Sequence, residues 1–231
     1  MNRTVRLIAL SMAMAFALSA ALQAAEPIEL LNGKDLTGWK VTGDPAKTSW
    51  VVGTAKLDEA SPGKLAVSKE GKELISPRTD GNVYTERQFG DCVLTLEVMV
   101  PRGSNSGIYL HGVYEIQVLD SFGRKGKPSQ GDMGGIYQNA APKNPKYKAP
   151  GEWQTFEIHF LAPRFDASGK KTANAKFAKV VLNGVTIHEN VEAKGPTGGG
   201  LRGNEAPTGP LMFQGDHGPV AYRNIKITPA K

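Results

Sequence analysis

Apolar and polar residues alternate with a period of two along most of this chain, in runs of four to nine residues. Successive side chains of a strand point to opposite faces, so this alternation predicts half-buried β-strands. The longest run, 89–100, sets Cys92, Leu94, Leu96, Val98 and Val100 against Val93, Thr95, Glu97 and Met99. Residues 153–161 alternate Phe156, Ile158 and Phe160 with Thr155, Glu157 and His159. Shorter strands are predicted at 50–52, 64–67, 72–75, 211–214 and 220–227. Asn183-Gly184 between alternating runs signals a type I′ turn, so 177–189 is predicted to be a hairpin. That register pairs Val180 with Ile187 on one face and Lys179 with His188 on the other, solvated one.

Two further runs flank Gly112 within residues 104–121. Ile108 and Leu110 alternate with Tyr109 and His111, and Ile116 and Val118 alternate with Glu115 and Gln117. A merely solvated strand face carries Lys, Thr and Ser. This one carries Tyr, His, Glu and Gln, with Asp120 just beyond. Glu115 and Gln117 share a face. Asp120, five residues from Glu115, falls on the opposite one unless a bulge re-aims it, and bulges are common beside active sites. With it re-aimed, two carboxyl groups would share one sheet face, as general acid/base chemistry on a sugar requires. Otherwise the segment is a solvent-facing strand ending in an Asp turn.

Composition agrees with the pattern. The 27 glycines and 15 prolines of the 231 residues punctuate the whole chain rather than one linker. Short strands so spaced predict an all-β sandwich or barrel. No run has helical period, no internal repeat is visible, and 25–231 offers no place to divide it into two domains.

The first 24 residues stand apart. Arg3 and Arg6 precede an apolar stretch at 7–18, and small residues follow at 20–25. This is a secretory leader pattern, with cleavage expected after Ala24. The apolar run is shorter than the roughly 20 residues a spanning helix needs, so no stable membrane anchor remains after cleavage. A periplasmic or secreted protein is expected. Losing Arg3 and Arg6 lowers the formal charge from +6 to +4. Lys143, Lys146 and Lys148 alternate with prolines in a loop, and no basic stripe of the nucleic-acid-binding kind exists. The lone Cys92 excludes an intrachain disulfide and, in phase with apolar neighbours, reads as a buried inert thiol.

Other candidates are more ambiguous. His217 lies in the turn Gly215-Asp216-His217-Gly218 after Gln214, where imidazole suits proton transfer near neutral pH; it is equally an exposed turn residue. Arg223, in phase with Ile225 and Ile227, needs an anion, either an ion-pair partner or a substrate oxygen. Trp39, Trp50 and Trp153 read as core. Zinc-type spacing is absent, with no His-x-His, no His-x-x-x-His and no cysteine pair. An oxygen-ligated divalent cation such as Ca²⁺ in the loops is left open, and no other cofactor is implied. P-loop, dinucleotide and Gly-x-Ser-x-Gly motifs are also absent.

Several stretches together resemble the family of 3-keto-disaccharide hydrolases. They are Leu-Asn-Gly-Lys-Asp-Leu-Thr-Gly-Trp (31–39), Ser-Asn-Ser-Gly-Ile-Tyr-Leu (104–110), Tyr-Glu-Ile-Gln-Val-Leu-Asp-Ser (114–121) and Gly-Glu-Trp-Gln (151–154). Ala-Pro-Arg-Phe-Asp (162–166), Asn-Gly-Val (183–185), Gly-Pro-Thr (195–197) and Gln-Gly-Asp-His-Gly-Pro-Val-Ala-Tyr-Arg-Asn-Ile (214–225) complete the set. Their order and number, more than any one motif, make the resemblance specific. His111 and Leu182 depart from it, standing where the family often has Arg and His.

The resemblance implies a concanavalin-like jelly-roll sandwich of two antiparallel sheets with the site on the concave face. It implies cleavage of an oxidised glycoside: the C3 ketone acidifies the C2 proton, a base removes it, the glycosidic oxygen leaves C1, and water adds back. On this reading Glu115, Asp120 and His217 are catalytic, and Tyr109, His111, Gln117, Tyr137, Gln214 and Arg223 bind sugar. Two alternatives stand beside it. A laminarinase-like retaining endoglucanase carries Glu-x-Asp-x-x-Glu, matched here by Glu115-x-Gln117-x-x-Asp120 with an amide in the middle. A jelly roll that binds carbohydrate without cleaving it is the other.

Overall fold

The computed structural model describes residues 25–201 and 204–230; the leader expected at 1–24 lies outside them. In chain order the first strands are β1 (Ile28–Glu29), β2 (Trp39–Val41), β3 (Val51–Leu57), β4 (Leu65–Ser76) and β5 (Val83–Phe89). Then come β6 (Cys92–Met99), β7 (Asn105–Leu110), β8 (Tyr114–Leu119), β9 (Gln154–Leu161) and β10 (Arg164–Phe165). The last are β11 (Lys171–Ala173), β12 (Ala175–Leu182), β13 (Val185–Ala193), β14 (Gly209–Phe213) and β15 (Val220–Pro229). No helix among the described residues is long and apolar enough to cross a membrane.

Two antiparallel sheets form a sandwich of the jelly-roll class. The larger runs β13-β12-β9-β6-β15-β4-β3, with β1 also paired to β15, and the smaller runs β2-β5-β14-β7-β8. One apolar cluster joins the sheets: Leu94, Leu96, Phe156, Ile158, Phe177 and Ile225 from the larger meet Ile108, Ile116, Val118 and Phe213 from the smaller. Phe213 stacks on Tyr222 with ring centroids 3.9 Å apart. Each fully buried side chain of this size is worth about 1.5–3 kcal/mol of transfer free energy, so a core this large holds without a disulfide. Cys92 is buried in it, and burial pushes its thiol up to about 12.

Where strands depart from the simple alternation, turns and bulges are the cause. Residues 89–100 are not one strand: Phe89 ends β5, Gly90-Asp91 turns the chain, and β6 begins at Cys92. The runs at 64–67 and 72–75 belong to the single strand β4. The type I′ hairpin is present, with Asn183 and Gly184 at φ 49° and 78°, but β13 carries a bulge. Val181 pairs with Thr186 and Val180 with His188, leaving Ile187 as the extra residue. Ile187 and His188 are therefore both buried, and the expectation of a solvated His188 is corrected. Its Nε2 lies 2.8 Å from the Gly134 carbonyl oxygen, which can only accept, so Nε2 donates.

Candidate active site

The site grows from the β7–β8 hairpin. Antiparallel register sets Tyr109 opposite Glu115 and Gly107 opposite Gln117, while β14 brings Met212 beside Tyr109. Ile108 and Ile116 face the core, so Tyr109, Glu115 and Gln117 project from the other face of the smaller sheet. They are nonetheless only 1%, 3% and 5% exposed, because loops close over them.

That closure follows from backbone hydrogen bonding. β8 is the edge of its sheet, and an edge leaves N–H and C=O groups that must find partners. The 134–137 loop supplies them: Gln117 N donates to Gly135 O (2.8 Å), Gly134 N to Gln117 O (2.8 Å) and Tyr137 N to Glu115 O (3.1 Å). Thr197 does the same from the opposite direction, its Oγ1 accepting from Glu115 N and donating to Val113 O, both at 3.1 Å. The two loops are tied where Gln138 Oε1 accepts from Gly198 N (3.2 Å). Gln138 holds φ 60° to do so, an uncommon conformation for a side-chain-bearing residue and one that gathers at functional sites.

Between sheet and loops lies a cleft of about 350 Å³. The sheet contributes Asn105, Tyr109, Glu115, Gln117 and Leu119; the loops contribute Gly131, Tyr137, Gln138, Gly198, Gly199, Gln214 and His217. Tyr109 Oη donates to Gly198 O (3.1 Å) and accepts from Gln214 Nε2 (3.4 Å). Gln214 is held in turn by its backbone, with N donating to Gly107 O (3.0 Å) and O accepting from Ser106 Oγ (2.6 Å). With its one hydroxyl proton so used, Ser106 Oγ accepts from Tyr222 Oη at 2.8 Å. His217 stands at the half-exposed rim, Nδ1 2.6 Å from Asp216 Oδ1. The carboxylate can only accept, so Nδ1 carries a proton and Nε2 is the nitrogen left to take or give one.

Electrostatics single out Glu115. Burial pushes its carboxyl up to about 7, against the Tyr109 hydroxyl and His217, which pull it down. Burial and the adjacent Glu115 push the Tyr109 phenol up, so it stays protonated. Displaced pKa values in a cleft are a functional-site signal when, as here, geometry accompanies them. No group of three or more His, Cys, Asp or Glu side chains among the described residues is arranged to hold a metal ion.

The structure thus assembles Glu115, His217, Tyr109, Gln117, Tyr137 and Gln214, but not three other expected residues. Asp120 follows the end of β8 with no bulge to re-aim it, and its carboxylate accepts from Gly103 N (2.9 Å) and Phe122 N (3.3 Å) instead. His111 takes φ 55° in the β7–β8 turn, which ends the strand alternation. Its ring packs against Phe160 at 4.9 Å, and burial lowers its pKa. Arg223 is moved to the outer face of the larger sheet by a bulge at Asn224 (φ 52°). There Nε donates to Glu97 Oε2 (2.5 Å) and the guanidinium lies 4.1 Å above Trp153. Asn105 was missed although it lies in phase with Tyr109 through Gly107. Gln138, Gly198 and Gly199 come from loops with no pattern of their own.

The cleft sets amides, a carboxyl and an imidazole on one sheet of an antiparallel sandwich, and it is the family of the chain that makes it the site of a carbohydrate-active enzyme with a small carbohydrate substrate. The family follows from the sequence match: the chain belongs to the family described as the 3-keto-alpha-glucoside-1,2-lyase-like domain, whose model matches residues 26–228. A provisionally assigned glycosyl hydrolase from Parabacteroides distasonis ATCC 8503 is similar in structure. Its TM-score is 0.67 at 26% identity, over 88% of this chain and 84% of that one. Two more from that organism share the fold, with TM-scores of 0.62 and 0.56 at 18% and 20% identity. They cover 89% of this chain each and 94% and 100% of their own. No curated protein matches the chain.

Proposed function

We propose that this enzyme cleaves the glycosidic bond of 3-keto-glycosides and 3-keto-disaccharides by elimination and hydration. A base takes the C2 proton, the electron pair of that C–H bond forms the enolate of the C3 ketone, and the enolate expels the glycosidic oxygen from C1. An acid protonates the departing oxygen. Water then adds hydroxide to C1 and a proton to C2, returning the free 3-keto sugar.

One observation carries the reading: Glu115 is the single carboxyl among the described residues lining the cleft. A retaining glycosidase needs two, about 5–5.5 Å apart. Here the middle acid of the laminarinase pattern is the amide Gln117, and the carboxylate of Asp120 caps a turn. Elimination next to a ketone needs one base, donors for the enolate oxygen and one acid. Glu115 serves as base, since burial makes its carboxylate more basic and keeps water from competing. His217, at the open rim and oriented by Asp216, protonates the leaving oxygen where the aglycone departs. Tyr137, Gln117 and Gln214 hold the sugar.

The test is to incubate the purified protein with trehalose, a β-glucoside and the 3-keto form of each, with and without chelator, and follow reducing sugar. Release confined to the 3-keto substrates is expected. Hydrolysis of unoxidised glucan would replace this reading with an endoglucanase, and binding without turnover would replace it with a carbohydrate-binding module. We also infer that residues 1–24 direct export and are removed. The protein recovered from the periplasm or medium then begins at Ala25, whereas an uncleaved chain in the cytoplasm would refute export.

A further inference from the structure

We propose that Asn105 is a catalytic residue whose side-chain Nδ2 donates a hydrogen bond to the C3 oxygen as that oxygen takes up enolate charge. This assignment rests on the 3-keto reading above. It starts from the orientation of two neighbouring amides. The terminal atom of Gln117 lying 3.3 Å from Ser106 O and 3.4 Å from Val118 O faces two carbonyls that can only accept, so it is the nitrogen. The same nitrogen lies 2.5 Å from an amide atom of Asn105, which must therefore be the accepting Oδ1. Nδ2 of Asn105 is left pointing away from Gln117, in a side chain that lines the cleft.

The other cleft donors of the sheet face are engaged. Gln117 is used as described and Tyr109 Oη donates to Gly198 O, while the loop residue Gln214 gives one Nε2 proton to Tyr109 Oη. Among the described residues Asn105 Nδ2 has no protein acceptor, so its protons are available to a ligand. The spacing suits the chemistry as well. The Glu115 carboxylate leans over Gly107, close enough that a β-carbon there would lie 2.5 Å from Oε1. Asn105 is two residues further along β7, about 7 Å at strand rise. The base and the donor thus stand over neighbouring same-face positions of one strand, as a base on the C2 hydrogen and a donor on the adjacent C3 oxygen require.

Asn105→Asp tests the assignment, because it keeps the Oδ1 acceptor for Gln117 while replacing the donor with oxygen. Cleavage of a 3-keto-glycoside and exchange of the C2 proton into D₂O are both measured, the exchange on 3-keto-1,5-anhydroglucitol, which has no aglycone to expel. Loss of one preorganised donor to a developing oxyanion costs roughly 10²–10³ in kcat. Both rates are expected to fall together by that factor, with KM within about threefold and the melting temperature unchanged. Asn105→Ala, which removes both atoms, is expected to be as impaired. If Asn105 merely positioned Gln117, Asn105→Asp would retain wild-type exchange and only Asn105→Ala would fail, which overturns the proposal. A wild-type protein inert in both assays would remove the 3-keto reading, and this assignment with it.

Discussion

A β-carbon on Gly107 would stand 2.5 Å from Oε1 of Glu115 and 2.7 Å from Cε2 of Tyr109. The missing side chain is thus the space into which the carboxyl and the phenol ring lean. The backbone of Gly107 lies outside the left-handed region, so alanine meets a steric objection and no conformational one. Gly107→Ala is expected to displace the carboxyl and lower kcat/KM by about ten- to a hundredfold, the scale of a misplaced reacting group. Thermal stability should change little, since glycine inside a strand is itself unfavourable. Unchanged turnover would show that the present position of the Glu115 carboxyl does not matter to the reaction.

Replacing Glu115 by Gln is expected to abolish cleavage and, above neutrality, to stabilise the fold. The folded carboxyl holds its proton more tightly than the unfolded one, about 7 against 4.5. Between those values the native state binds more protons, so wild-type stability falls as pH rises through this window and then levels off. The loss amounts to about 3 kcal/mol at most. Denaturant melts at pH 4.5 and pH 8 check it: the Gln variant should gain only at pH 8. Near-wild-type turnover would remove Glu115 from the mechanism.

Activity should carry the same signature. A base must be deprotonated, so kcat/KM of the wild type is expected to rise with pH along a limb centred near 7. The limb reflects Glu115 together with the groups around it, Tyr109, His217 and Asp216. A rate profile flat from pH 5 to 8 would exclude Glu115 as the base.

Arg223 and Asp120 offer the opposite test. Arg223→Ala gives up the stacking on Trp153 and the pairing with Glu97, costing roughly 1 kcal/mol for so exposed a cluster. Asp120→Ala leaves Gly103 N and Phe122 N without their acceptor, again at about 1 kcal/mol. Both variants should melt earlier and turn over at the wild-type kcat. A large kcat loss in either would place it back in the reaction.

Much of the fold was legible because alternation is a local property. The core positions of β6 and β9, and the Tyr109, Glu115 and Gln117 face of the central hairpin, follow from period two alone, whereas in β12 a register shift puts both Phe177 and Val180 in the core. Asn105 was legible in principle on the same count, since Asn105, Gly107 and Tyr109 lie in phase; the glycine between them hid the continuity.

What the chain by itself determined, then, is which residues share a strand face, and with that most of the core and the centre of the site. Only the tertiary structure decided where the phase breaks. One extra residue at Asn224 sends Arg223 to the outer surface, one at Ile187 draws His188 inward, and the positive φ of His111 removes it from the face of Tyr109. A bulge costs little locally and is selected by packing across the sheet, so the residues in it bear no distinctive mark. The burial that pushes Glu115 up likewise comes from loops that pair with the free edge of β8 from about 20 and 80 residues away along the chain. Their presence depends on unsatisfied backbone groups, which no pattern of side chains records.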